Sequence, residues 1–86
     1  MQSTRDAAEI QEWIVARVAQ MMKIHASDID VTAPFEHSGM DSAAMMAISG
    51  DLEDWLGFSV HPRVPYDYPT IQSLAEYLSR VKEADD

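Results

Sequence analysis

No cysteine occurs among the 86 residues, so a disulfide framework, a thiolate metal site and a cysteine nucleophile are all excluded. No stretch approaches the roughly 18 apolar residues that a membrane-spanning helix needs. Arg5 and Asp6 near the N-terminus have no apolar run behind them, so no secretory signal is legible. These absences predict a soluble, cytoplasmic protein that does not use a membrane. Basic residues are also scarce: six against fifteen acids, a formal charge of −9, which argues against nucleic acid as a partner. Between Lys23 and Arg63 there is no Lys or Arg at all, while Asp28, Asp30, Glu36, Asp41, Asp51, Glu53 and Asp54 fall inside that span. An acidic stretch of this kind is either a solvated surface or one that steers basic partners.

What is present is a small globular composition, 47% apolar, long enough for one core. A single domain over residues 1–86 is expected, monomeric, with 1–5 and 82–86 as frayed tails. Residues 6–22 read as a helix, because Ile10, Trp13, Ile14, Val18, Met21 and Met22 recur at steps of three and four. Ser3 or Thr4 would cap it, with Asp6 in its first turn. Residues 24–40 hold no sustained period and read as a long loop, anchored on the core by Ile24, Ile29, Val31 and Phe35. A second helix should run from about 42 to 56 on the stripe Met45, Ile48, Leu52 and Trp55 or Leu56, stopping at Gly57. "VHPRVPYDYP" (60–69) leaves room for one short helix near 65–68. The last helix begins after Pro69 with Thr70 near its cap, and carries Ile71, Leu74, Ala75, Leu78 and Val81. The fold class is all-α: three main helices, one short helix, and a long loop between the first two.

Ser42 falls at the start of the second helix, in "HSGMDSAAMM" (37–46). It is either a capping residue or, with Asp41 as the cap, an outward-pointing hydroxyl in the first turn. A capping box from Ser38 to Asp41 is a competing local arrangement. A hydrolase serine needs a base and an oxyanion hole, and the G-x-S-x-G elbow is absent. His25, His37 and His61 all fall in loops, and no cleft of several hundred cubic ångströms is expected in so small a helical domain. Asp28, Asp30 and Thr32 open like a calcium loop, but the glycine and terminal glutamate of that motif are missing. No catalytic residue and no metal site are expected. An exposed hydroxyl at a helix N-terminus does suit a phosphate ester, because free amides and the helix dipole favour an anion there.

The order of features from residue 10 to about 80 resembles an acyl carrier protein. It comprises "GMDS" (39–42), the loop holding Ile29, Asp30, Pro34 and Phe35, "LEDWLG" (52–57) and "YDYPTIQSLAEYL" (66–78). Asp41 before the serine and "DYPT" (67–70) are similar to carriers of modular polyketide synthases. "SGDLEDWLG" (49–57) resembles carriers found beside fatty-acyl-AMP ligases. The resemblance implies a four-helix carrier bundle in which Ser42, flanked by Asp41, is esterified with 4′-phosphopantetheine from coenzyme A by a phosphopantetheinyl transferase. Acyl or polyketide intermediates would then ride as thioesters on that arm, and the protein itself would catalyse nothing. Its implied partners are the transferase, a loading enzyme (an acyltransferase or an acyl-AMP ligase), and a ketosynthase with other synthase domains. The chain ends allow either a freestanding carrier or a domain of a synthase. Two alternatives remain: a peptidyl or aryl carrier of a nonribosomal pathway, and an unmodified helical interaction module.

The family's usual leucine after the serine is replaced by Ala43. Residues 43, 46, 47 and 50 share a helix face distinct from the 45, 48 and 52 stripe. Met46 and Ala47 either flank the core or belong to a shallow docking face. In the second case Ala43, Ala47 and Gly50 form the face, Met40 and Met46 set its fit, and Asp41, Asp51, Glu53 and Asp54 form its rim. Trp13 and Trp55 are expected at the core or its edge.

Overall fold

The computed structural model describes residues 6–81, so the expected tails and the Ser3 and Thr4 caps lie outside the described residues. Four α-helices follow one another: α1 (Ala7–Met22), α2 (Ser42–Leu56), α3 (Val64–Asp67) and α4 (Ile71–Arg80). Each main helix starts on a side-chain cap that relieves an unpaired amide. Asp6 accepts from the Glu9 amide at 2.8 Å and so serves as the α1 cap rather than as a first-turn residue. Asp41 accepts from the Ala44 amide at 2.9 Å, which settles the local choice against a box starting at Ser38. Thr70 and Ser73 form a reciprocal capping box on α4.

The stops are equally local. Gly57 ends α2 at φ 87°, a left-handed conformation that costs glycine little. Lys23 ends α1 in the same region at φ 60°, where its side chain costs about 1 kcal/mol relative to glycine.

The core is one cluster. Ile10, Ile14 and Val18 of α1 face Leu74, Ala75 and Leu78 of α4, the most extensive helix pairing, and Ile48 and Leu52 of α2 close it. Burying each aliphatic side chain contributes about 1.5–3 kcal/mol. The 24–40 segment is no featureless loop, for it contains two 3₁₀ turns, Ala26–Asp28 and Phe35–Ser38. Ile29 and Val31 pack on the core and Phe35 is buried in it, but Ile24 is exposed and anchors nothing. Backbone does the rest of the anchoring: Phe35 donates to the Pro69 carbonyl and Gln72 to that of Val31, both at 3.0 Å. The loop is thereby tied to the start of α4. No helix among the described residues is long and apolar enough to cross a membrane.

Candidate functional site: the N-terminus of α2 and the groove beside it

Gly39 decides where Ser42 goes. Its φ of 86° turns the chain out of the Phe35–Ser38 turn, and a side chain there would be strained. Met40 then goes into the core, 6% exposed, Asp41 takes the extended cap conformation, and Ser42 opens the helix on the surface. Among the described residues the Ser42 hydroxyl has no hydrogen-bond partner, because the capping position belongs to Asp41. The first-turn amides of α2 point the same way as that hydroxyl's end of the helix, where an anion is favoured.

An open groove of about 820 Å³ lies against this end of the molecule, contrary to the expectation of no cleft. One wall is α2, through Ser42, Met45, Met46, Ser49, Gly50 and Glu53. The other carries Pro34, Pro62, Pro65 and Pro69, which are all the prolines of the chain. Pro65 sits in the first turn of α3, where a missing amide is tolerated, and Pro34, Pro62 and Pro69 lie outside the α-helices, so this wall is short turns and loop rather than a long helix packed on α2. None of the three histidines lines it, so the groove supplies Ser42 with no imidazole base. His61 instead accepts from the Arg63 amide through Nδ1 at 3.0 Å.

The residues expected at the docking face separate into groups. Met46 is 74% exposed and lines the groove with Gly50, Asp41 and Glu53. Ala43, Ala47 and Asp54 are exposed on α2 beyond the groove lining. Met40, expected with Met46 to set the fit of this face, is buried in the core at 6% exposure and also lines the groove. Asp51 faces α1, where its carboxylate pairs with the Arg17 guanidinium, so its charge is partly neutralised. Glu53 is half-buried, and its Oε2 accepts from the Val60 amide at 2.7 Å. The pattern of residue types did not single out Tyr66, which is 73% exposed on the wall opposite Met46. Its only signal was an aromatic set in the proline-rich segment.

Asp30 is engaged within its own loop. The Thr32 hydroxyl at 2.7 Å and the Thr32 amide at 2.9 Å donate to its carboxylate and hold its pKa below the ordinary value. No group of three metal-ligating side chains occurs among the described residues.

The sequence pattern of the phosphopantetheine attachment site family matches residues 12–78, and the chain belongs to that family. It is a carrier domain, whose prosthetic group is 4′-phosphopantetheine. The acyl carrier protein TtuC of Teredinibacter turnerae is 27% identical over 79 residues, covering 92% of this chain and 91% of that protein. The polyketide synthase PksL of Bacillus subtilis is 31% identical over 77 residues, covering 88% of this chain but 2% of the synthase. A freestanding peptidyl carrier protein from an Acinetobacter baumannii secondary metabolic pathway superposes with a TM-score of 0.80 at 40% identity, covering 85% of this chain and 91% of that one. The superposition gives this chain the all-helical carrier fold. An exposed serine hydroxyl without a partner, at the start of a helix and with open space beside it, fits the group.

Proposed function

We propose that Ser42 is the attachment residue and that this chain is a non-catalytic acyl carrier serving polyketide-type assembly in the cytoplasm. The observation that carries the reading is the free, exposed Ser42 hydroxyl at the α2 N-terminus, inside the family-matched span. In the transferase reaction its Oγ would bond to the phosphate that bears pantetheine as the pyrophosphate bond of coenzyme A breaks, with adenosine 3′,5′-bisphosphate leaving and the hydroxyl proton passing to the transferase. The α2 dipole and first-turn amides favour the resulting phosphodiester anion. Once attached, the group supplies a terminal thiol that holds an acyl chain as a thioester. Asp41 contributes by taking the cap, which leaves Ser42 unengaged.

Partner enzymes are a phosphopantetheinyl transferase, a loading acyltransferase or acyl-AMP ligase, and a ketosynthase. We assign their docking to the exposed face of α2: Ala43, Met46, Ala47, Gly50 and Asp54, with Asp41 and Glu53 on the groove side. Gly50 supports this assignment. A helical glycine costs about 1 kcal/mol relative to alanine, yet a Cβ there would meet nothing within 4 Å, so no internal packing demands it. The absent side chain serves close approach from outside. Likeness to the Acinetobacter carrier favours a second reading, a peptidyl cargo on the same serine.

The test is intact mass before and after incubation with coenzyme A, magnesium and a broad-specificity phosphopantetheinyl transferase. The parent should gain one phosphopantetheine and Ser42→Ala none. A folded parent that gains nothing would return Ser42 to a capping role and the chain to an unmodified interaction module. Loading by an acyl-activating enzyme, but not by an aminoacyl-adenylating one, separates the two cargo classes.

A further inference from the structure

The groove beside Ser42 combines apolar walls with charge of one sign. Phe35, Met45, Met46, Val60 and Pro65 contribute the apolar surface, and the Asp and Glu residues of the lining are Glu36, Asp41 and Glu53. No Lys or Arg lines it, as follows from their absence between Lys23 and Arg63. The three acids are not equivalent. Glu36 and Asp41 are exposed, so water and salt screen them. Glu53 is half-buried, and the Val60 amide holds one carboxylate oxygen at 2.7 Å, which fixes the charge beside the buried Val60 side chain. The side chain cannot swing away from a second anion without giving up that hydrogen bond.

We propose that Glu53 is a specificity-determining residue, a fixed negative charge that keeps acyl groups ending in a carboxylate out of the groove while admitting uncharged ones. The inference rests on Ser42 carrying the cargo. Placing a second carboxylate in a partly dehydrated groove beside Glu53 costs Coulomb repulsion and the loss of its own hydration, with no cation among the lining residues to offset either. At an effective dielectric near 20, two such charges several ångströms apart shift the seating equilibrium by roughly tenfold to a hundredfold. Diacid-derived cargo would therefore ride outside in solvent. Uncharged acyl groups from monocarboxylic acids would seat against Met45, Met46 and Val60. The loading reaction that matches this groove is activation of an uncharged monocarboxylic acid.

The experiment attaches three cargoes of matched length to the full chain by the transferase: octanoyl, its ω-carboxyl counterpart and its ω-carboxamide counterpart. Intact mass confirms each attachment. Seating is read from the amide chemical shifts of Met46, Gly50 and Val60 relative to the acetyl form, and from Tm. The octanoyl and ω-carboxamide forms should move these resonances, and the octanoyl form should raise Tm. The ω-carboxyl form should stay at the acetyl positions. In Glu53→Gln, whose amide oxygen still accepts from Val60, the ω-carboxyl form should seat at least tenfold more. Equal seating of the ω-carboxyl and octanoyl forms in the parent would overturn the proposal, as would no seating of any cargo or no response to E53Q. The carboxamide arm needs no mutation and separates charge from polarity. Failure to gain mass at Ser42 would instead remove the carrier reading beneath it.

Discussion

Trp13 of α1 and Trp55 of α2 stack with ring centroids 5.0 Å apart and planes 14° from parallel. Arg17, one turn along α1, lies over the Trp13 ring at 5.7 Å and pairs with Asp51 on α2. Both rings are half-buried, so the two tryptophans expected at the core edge form a clasp between the helix that bears Ser42 and the helix that anchors the core. Stacked pairs contribute about 0.5–1.5 kcal/mol beyond the area they bury.

Replacing one member of this clasp should loosen α2 without touching the serine. Trp55→Ala is expected to lose about 2 kcal/mol, a Tm fall on the order of 10 °C in a domain of this size. The exciton-coupled signal of the stacked indoles in circular dichroism should vanish with it. A retained couplet would mean that the rings do not stack in solution.

Asp41→Ala should cost about 1 kcal/mol, because the Ala44 amide loses its acceptor. Asp41→Asn should recover most of that, since its side-chain oxygen can still cap. Chemical denaturation of the three proteins checks the order. Equal stability of all three would show that Asp41 does not cap α2.

The Asp30 carboxyl should titrate below its ordinary value near 3.8, chiefly through the Thr32 hydroxyl, then the Thr32 amide. A depressed acid contributes stability that is present above the unfolded-state value and is lost as pH falls through the folded-state value. The window therefore lies at and below about pH 4, with nothing changing near neutrality. NMR titration of the Asp30 carboxyl should give a low midpoint that rises in Thr32→Val. An unchanged midpoint in that variant would assign the shift elsewhere.

Met46 is exposed enough that Met46→Asp should leave Tm nearly unchanged. Under the docking assignment, acyl transfer to a cognate enzyme should weaken roughly tenfold or more, mainly in KM. Raising salt to about 0.5 M should also raise KM, because screening then acts within a few ångströms of the acidic rim. Transfer kinetics unaltered by the variant would remove Met46 from the docking face.

The helices were legible because their determinants are local. The three- and four-residue spacing from Ile10 to Met22, the cap at Asp41, the stop at Gly57 and the start at Thr70 each depend on near neighbours in the chain. The placement of Ser42 was legible for the same reason: a left-handed glycine, a capping acid and a helix start fall within four residues. The 3₁₀ turns at 26–28 and 35–38 were not, since three-residue periods are too short to register in a polar loop.

By itself, then, the sequence determined an all-helical chain with a hydroxyl at the head of its second helix and no cation nearby. Tertiary structure alone decided what surrounds that hydroxyl. It turned Met40 inward, tied Asp51 to Arg17, set Glu53 on the Val60 amide and lined a groove with every proline of the chain. Caps and periods are set by bonds between neighbours. The groove arises from segments as distant in sequence as Pro34 and Pro69, whose separation depends on how far α3 and the loop stand from α2 once the core has closed.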